Sequence, residues 1–416
     1  MVDRLSPILQ ALPRPAERNI AVHVTPAAER AIRSGHPWLF DQSIRRLSRH
    51  GRSGDLAVIF DRKDRFLAVG LYDPDSPIRV RILQQGTPAA ISRAWFEQQI
   101  ATSVTKRRPL LTDQTNGCRL IHGENDGLPG LVLDRYADTC VIKLYTTAWL
   151  PHLPNVLTAL HDTVKPERLV LRLSRGLQAD PDQLHGLSDG LLLWGPPLDG
   201  PVLFRENGLT FAVDVVAGQK TGFFLDQRDN RARVEPLAMG KRVLNVFAYT
   251  GGFSLYAARG GATAVTSLDL SQPALETAVT NFYLNHHLPG VAAARHTLLQ
   301  GDAFQRMEEL IAKKETFDLV IIDPPSFARQ QAETERALAA YARLTGLALR
   351  LLPSGGTLVQ ASCSSRVPAA DFFDTIYQTA QKEKRPLRQI ERTGHPIDHP
   401  IRFAEGEYLK CLFAIV

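Results

Sequence analysis

Short apolar runs and amphipathic stretches alternate along the chain, and their character changes three times. Asn19 to about Leu83 reads as short strands: "NIAVHV" alternates weakly, "DLAVIFDRKDRFLAVGLYD" is two strands around a turn at Arg62, Lys63 and Asp64, and "IRVRIL" is a third. A short helix, "AAERAIRSG", is closed by Gly35. Residues 90–108 form one helix stopped by Pro109, with Lys106, Arg107 and Arg108 suited to its C-terminal dipole. Residues 119–194 predict a small α/β unit with strands near Leu131–Asp134, Cys140–Tyr145 and Leu169–Leu173, and a helix near Pro154–His161. After Pro201 apolar strands alternate with helices, as in a parallel sheet. The strands are Val243–Phe247, a run ending at Asp269, one ending before Asp302, Phe317–Ile322, Thr357–Ala361 and the closing "EYLKCLFAIV". Helices fit at Phe253–Ala258, Ala274–His286, Arg336–Leu352 and Ala369–Lys382. The expected fold class is α/β: a loose tail over 1–19, a β-rich module over 20–85, a connecting helix over 86–118, a small α/β domain over 119–200 and a Rossmann-like sheet over 201–416.

The most informative stretch is "VLNVFAYTGGFSLYAARGGATAVTSLD", residues 243–269. It is a strand, a turn, a helix and a second strand. Gly251 and Gly252 leave room for a ligand against the backbone, and Asp269 at the next strand end can accept two ribose hydroxyls. A dinucleotide and S-adenosylmethionine both suit that plan. The G-x-G-x-x-G spacing of dinucleotide sites is missing and no P-loop lysine follows, which disfavours a pyrophosphate cradle. A sheet with close-packed glycines and no ligand is the plain alternative. Gly251, Asp269, Asp302, Asp323 and Cys363 all fall at carboxyl ends of strands, where open α/β sheets bind their ligands.

"AGQKTGFFLDQRDNRARV" sets Phe223, Phe224, Asp226 and Gln227 in one turn-to-helix stretch. These groups suit an adenine ring and a zwitterionic tail, or equally a helix start with one aromatic face buried. At Asp323 the following Pro324 and Pro325 fix the turn. The carboxylate can hydrogen-bond the edge of a flat heterocycle on which Phe327 can stack. Cys363 at a neighbouring strand end can serve as a nucleophile, as cytosine requires: thiolate addition at C6 makes C5 nucleophilic enough to take a methyl group. A buried small side chain is the competing reading of Cys363.

The chain carries 49 basic and 43 acidic residues, a net charge of +6. Residues 1–110 hold 18 basic and 10 acidic residues, so the excess lies in the first quarter and suggests a module that meets a polyanion. Arg33 and Trp38 are candidate contacts there, with Trp38 expected to pack rather than stack on a base. Glu124 and Asp126 in "GENDGLPG" read as turn chemistry. Four cysteines form no C-x-x-C pair, so no metal site or disulfide framework is indicated. No spanning helix and no signal peptide are expected, which leaves the cytoplasm as the default location.

With these residues in view, the chain resembles the bacterial large-subunit (23S) ribosomal RNA cytosine-5 methyltransferase family. The texts that carry the likeness are "GHPWLF", "HGENDGLPGLVLDRY", "ENGLTFAVDVVAGQKTGFFLDQRDNR", "VLNVFAYTGGFSLYAARGGA", "LDLS", "FDLVIIDPPSFAR", "ASCSS" and "DHPIRFAEGEYLK". They cover nearly everything but the tail. The resemblance implies a PUA RNA-binding domain over 20–85, a central α/β domain and a class I methyltransferase domain. It implies an S-adenosylmethionine site made by Phe223, Asp226, Gln227, Tyr249, Thr250, Gly251, Gly252, Asp269 and Asp302. It also implies that Asp323 orients the base, with Pro324 and Phe327 beside it, and that Cys363 attacks C6. Ribosomal RNA would be the partner, no membrane is involved, and a homodimer stays open. Two alternatives remain: nitrogen methylation of an RNA base, because "DPPSF" also resembles the motif of amine methyltransferases, and a ribosomal RNA-binding protein without catalysis.

Overall fold

The computed structural model describes residues 7–328 and 330–416, and these divide into two compact units. The first comprises residues 1–208, 213–225 and 397–404, and the second residues 209–212, 226–396 and 405–416.

The first unit contains two sheets. The β-rich module is a six-stranded sheet in the order Trp38–Phe40, Ile78–Gln85, Phe66–Tyr72, Leu56–Phe60, Ile20–Val24, Ile44–Leu47. Its alternating strands bury Ile20, Val22, Ala57, Ile59 and Val80 on one face, against Ala28 and Ile32 of the helix Pro26–Arg33. That helix starts well because Thr25 accepts a hydrogen bond from the Ala28 amide and Pro26 opens the first turn. The second sheet has five strands, in the order Leu192–Trp194, Arg168–Leu173, Thr139–Leu144, Leu131–Tyr136, Gly117–His122.

The helix Arg93–Arg107 is more than a connector, since Trp95, Phe96 and Ile100 lie in the core of this second sheet. Arg107 sits in the last turn of this helix, as expected, and is wholly buried, forked onto Asp126 at 2.9 and 2.6 Å. The Asp126 carboxylate also accepts from the His122 amide at 2.8 Å, which gives that acid a structural role. Within the expected loose tail, residues 1–6 lie outside the described residues, whereas Pro7–Gln10 is one helical turn and Leu9 and Leu12 are buried in the core of this unit.

The second unit is a seven-stranded sheet in the order Arg295–Gln300, Ala264–Asp269, Arg242–Val246, Leu319–Ile322, Thr357–Ser362, Lys410–Ile415, Arg388–Thr393. The first five strands run parallel, and the last two pair antiparallel. The strands Leu319–Ile322 and Thr357–Ser362 are buried along their whole length because both faces are covered. Strand order reverses between Arg242–Val246 and Leu319–Ile322, and that reversal opens a crevice at their carboxyl ends. Helices Gln272–Leu284, Ala303–Ala312, Thr334–Leu351 and Ala369–Lys382 pack on the sheet. The strand Arg388–Thr393 carries no apolar period and is exposed along most of its length.

Candidate active site

At the reversal of strand order the chain leaves Val246 and turns through Phe247, Tyr249 and Gly251, all left-handed with φ of 63°, 49° and 75°. Non-glycine residues rarely adopt such angles, and functional turns are where they gather. A side chain at Gly251 would be strained twice over, by its φ and by a Cβ placed 2.8 Å from that of Ala278. The turn is held from outside. Asn281 donates to the Thr250 carbonyl at 2.8 Å, and Asp269 accepts the Tyr249 amide at 2.7 Å. The other Asp269 oxygen accepts the Ser271 amide at 2.9 Å. Each carboxylate oxygen keeps a second lone pair for a hydroxyl. The Thr250 Oγ1 is buried without a hydrogen-bond partner among the described residues. A nucleoside-bearing ligand that offered a polar group there would satisfy it, so Tyr249, Thr250, Gly251, Gly252 and Asp269 fit S-adenosylmethionine.

Asp302 caps the helix Ala303–Ala312 by accepting the Gln305 amide at 3.0 Å. It stands next to this group, because the Gly301 amide donates to the Asp269 carbonyl at 3.0 Å. Asp226 is buried and accepts the Tyr408 hydroxyl at 2.8 Å. Phe223 is only 3% exposed and packs edge-on against Phe204 with ring centroids 5.1 Å apart, as the buried-face alternative for this stretch has it. Apolar area of that size is better buried when neighbouring rings can receive it. Phe223 belongs to the first unit and is described with it.

The Asp323 amide donates to the Val246 carbonyl at 3.4 Å, so the carboxylate begins where the turn begins. Gln227 donates from Nε2 to Asp323 Oδ1 at 2.9 Å. Cys363 follows the adjacent strand, and its thiol donates to the Pro324 carbonyl at 3.7 Å. Cys118, Cys140 and Cys411 are buried, whereas Cys363 is partly exposed. Burial pushes the Cys140 thiol up to about 12 and Cys411 upward as well, which keeps both protonated.

The loop after Cys363 is tied down. Lys410 donates from Nζ to the carbonyls of Ser364 and Val367, the latter at 2.6 Å, and Tyr341 and Ser362 share a 2.8 Å hydrogen bond. Burial lowers the Lys410 ammonium to about 8, while negative charge on Cys363 works in the opposite sense. By reciprocity the ammonium favours a thiolate at Cys363. Phe327 is half-buried and packs edge-on against Tyr341 at 5.2 Å.

Lys410 was missed in the sequence, although it is the lone charge in the buried strand "KCLFAI". Asn230 and Thr393, which reach Asp323 through Gln227, gave no signal of their own.

In the first unit, Trp38 donates its indole N–H to Glu124 at 3.0 Å and meets Phe403 edge-on at 5.1 Å, so it packs as expected. The Arg33 guanidinium is paired with Asp61 at 2.9 Å and with Glu29 at 3.2 Å. Arg45, Arg46, Arg52 and Arg62 are exposed. No group of three metal-ligating side chains occurs among the described residues.

Comparison with known proteins places the chain in a family. Residues 184–413 match the S-adenosylmethionine-dependent methyltransferase family, and residues 22–85 match a PUA-like domain. A ribosomal RNA large subunit methyltransferase of Deinococcus radiodurans is 46% identical over 406 residues, which cover 96% of this chain and 98% of the relative. Ribosomal RNA large subunit methyltransferase I of Vibrio vulnificus is 36% identical over 94% of this chain and 98% of the relative. A Streptococcus mutans protein assigned as a SAM-dependent methyltransferase superposes with a TM-score of 0.81 at 23% identity, covering 95% of this chain and all of the other. A methyltransferase solved with S-adenosylhomocysteine gives 0.82, also at 23% identity and with the same coverage. At that identity the likeness is one of fold.

Proposed function

The chain belongs to the family of S-adenosylmethionine-dependent ribosomal RNA large subunit methyltransferases, and we propose that it methylates C5 of a cytosine in 23S ribosomal RNA through a covalent adduct of Cys363. The observation that carries this reading is the meeting of the Cys363 thiol with the backbone of the Asp323 turn, while every other cysteine is buried.

The chemistry follows from the residues. Cys363 as thiolate forms a bond from Sγ to C6, and the C5–C6 π pair becomes available at C5. When bound, S-adenosylmethionine supplies the methyl group that C5 takes, and S-adenosylhomocysteine is left. A base then removes the C5 proton, the C–H pair re-forms the C5–C6 double bond, and the C6–S bond breaks with its pair returning to Sγ. Asp323 accepts from the amino edge of the cytosine and fixes its orientation. Lys410 stabilises the thiolate on both of its appearances and holds the loop that carries it. Tyr249, Thr250, Gly251, Gly252, Asp269 and Asp302 hold the cofactor.

The PUA-like domain supplies RNA affinity through its exposed arginines. No helix among the described residues is long and apolar enough to cross a membrane, and a cytoplasmic setting suits a ribosomal RNA substrate. Bisulfite and mass mapping of 23S ribosomal RNA from cells with and without the gene tests the reading. One 5-methylcytosine should vanish on deletion; loss of a methylated amine or ring nitrogen instead would replace this reading with the nitrogen-directed one.

A further inference from the structure

Gln227 does not stand alone against Asp323. Its Oε1 accepts from Asn230 Nδ2 at 2.6 Å, and Asn230 Oδ1 accepts from the Thr393 hydroxyl at 2.5 Å. Gln227 and Asn230 are 2% and 1% exposed, so water does not compete for these bonds. The direction of the chain is dictated from one end. An ionised carboxylate only accepts, so Gln227 must turn its NH2 toward Asp323. Its carbonyl oxygen then faces Asn230, which must present its own NH2, and the remaining Asn230 oxygen takes the Thr393 hydroxyl hydrogen. The whole row is polarised toward Asp323.

We infer that Gln227, Asn230 and Thr393 are positioning residues that fix the Asp323 carboxylate for the base, so that Gln227 acts on the substrate side rather than as a cofactor ligand. Two features support this. The terminal group, Thr393, lies at the end of an otherwise exposed edge strand, Arg388–Thr393, and its partly buried end ties that edge to the site. The neighbouring Asp226 is anchored separately by Tyr408, which splits the Asp226–Gln227 pair between two tasks. A row of this kind suits a carboxylate that must hold one orientation while the base arrives, since displacement of about 1 Å costs roughly 100-fold in rate. Reversing either amide breaks the row at once.

The inference rests on Asp323 contacting the base, and the experiment separates the two claims. Gln227→Met keeps length and removes both hydrogen bonds; Thr393→Val removes the far donor and Thr393→Ser restores it. For Gln227→Met we expect kcat to fall by about 10- to 100-fold while calorimetric affinity for S-adenosylhomocysteine stays within about twofold. Thr393→Val should lose activity to a smaller extent and Thr393→Ser should recover it. In an Asp323→Asn background Gln227→Met should add little further loss, because both act at one group. Cofactor affinity falling in step with activity, or a full additional loss in the Asp323→Asn background, overturns the inference. If Gln227→Met does not fold, the Thr393 pair decides, and equal activity of Val and Ser variants counts against the row. These ratios are read on whichever base the wild type methylates, so failure of the cytosine-5 assignment leaves them interpretable.

Discussion

The thiol of Cys363 lies 3.7 Å from the carbonyl oxygen of Pro324, which brings the ends of two adjacent parallel strands to one point. The strands Leu319–Ile322 and Thr357–Ser362 pair in register from Leu319 with Thr357 to Ile322 with Gln360. Fixing that register sets how Asp323 and Cys363 emerge together. Under the proposed function, a nucleophile and a base-orienting carboxylate on rigid strand ends would need little reorganisation when the substrate arrives.

Asp269 should be the main determinant of cofactor affinity. Asp269→Ala removes a partly exposed carboxylate that also secures the Tyr249 amide. Calorimetry should show S-adenosylhomocysteine binding weakened by about 1.5–3 kcal/mol, the scale of a hydrogen bond to a charged group. Unchanged affinity would remove Asp269 from the site.

Lys410 should govern the Cys363 loop without touching the cofactor. Lys410→Met takes both donors from the Ser364 and Val367 carbonyls. Methyl transfer should fall on the order of 10-fold or more, and alkylation of Cys363 by iodoacetamide should slow at neutral pH because the neighbouring ammonium is gone. An unchanged alkylation rate would show that Lys410 does not favour the thiolate.

RNA affinity should depend on Arg45 and Arg46, which are exposed on the β-rich module. The double change to Glu should weaken RNA binding and reduce the slope of log affinity against log salt by about one for each phosphate that is no longer neutralised. S-adenosylhomocysteine affinity should not move. An unaltered salt slope would place the RNA surface elsewhere.

Acid stability should report His296. Its ring stacks on Phe282 at 3.8 Å, its Nε2 shares a 2.8 Å hydrogen bond with Ser267, and burial lowers its pKa from 6.5 to about 4. Between those values the unfolded chain takes up a proton that the folded one refuses, so this contribution is whole above pH 6.5 and is lost as pH falls through 4. His296→Phe should flatten that part of the stability profile in urea titrations. An identical slope in the variant would assign the acid sensitivity to other groups.

The sheet of the second unit was legible because mostly apolar strands alternate with helices, several of them ending at a polar residue. Asp269, Asp323 and Cys363 stand at such ends, as the sequence placed them. The strand Arg388–Thr393 was not legible, since a polar edge strand has no apolar period and exists through pairing with Lys410–Ile415. The ion pair of Arg107 with Asp126 was not legible, because Asp126 is 19 residues away in a loop that reads as a turn. The two readings of Phe223 could not be separated in the sequence, because a buried ring and a ligand-facing ring have the same letter. Residues 397–404 belong with the first unit through hydrogen bonds such as the Arg119 amide to Asp398, 279 positions apart, and local sequence cannot encode such a pairing. The row from Thr393 to Asp323 rests on bonds between residues 163 and 96 positions apart and was hidden for the same reason.

The most direct measurement of the central claim is trapping. RNA carrying 5-fluorocytosine at the target position should form a covalent complex, because fluorine at C5 cannot leave as a proton and the thiolate cannot be expelled. Wild-type protein with S-adenosylmethionine should give a species that survives denaturing electrophoresis, and peptide mapping should place the link on Cys363. Cys363→Ala should give no such species while binding S-adenosylhomocysteine normally, and alanine at Cys118, Cys140 or Cys411 should leave trapping intact. Methyl transfer by Cys363→Ala at the wild-type rate, or a wild type that methylates RNA yet never traps, would contradict the account.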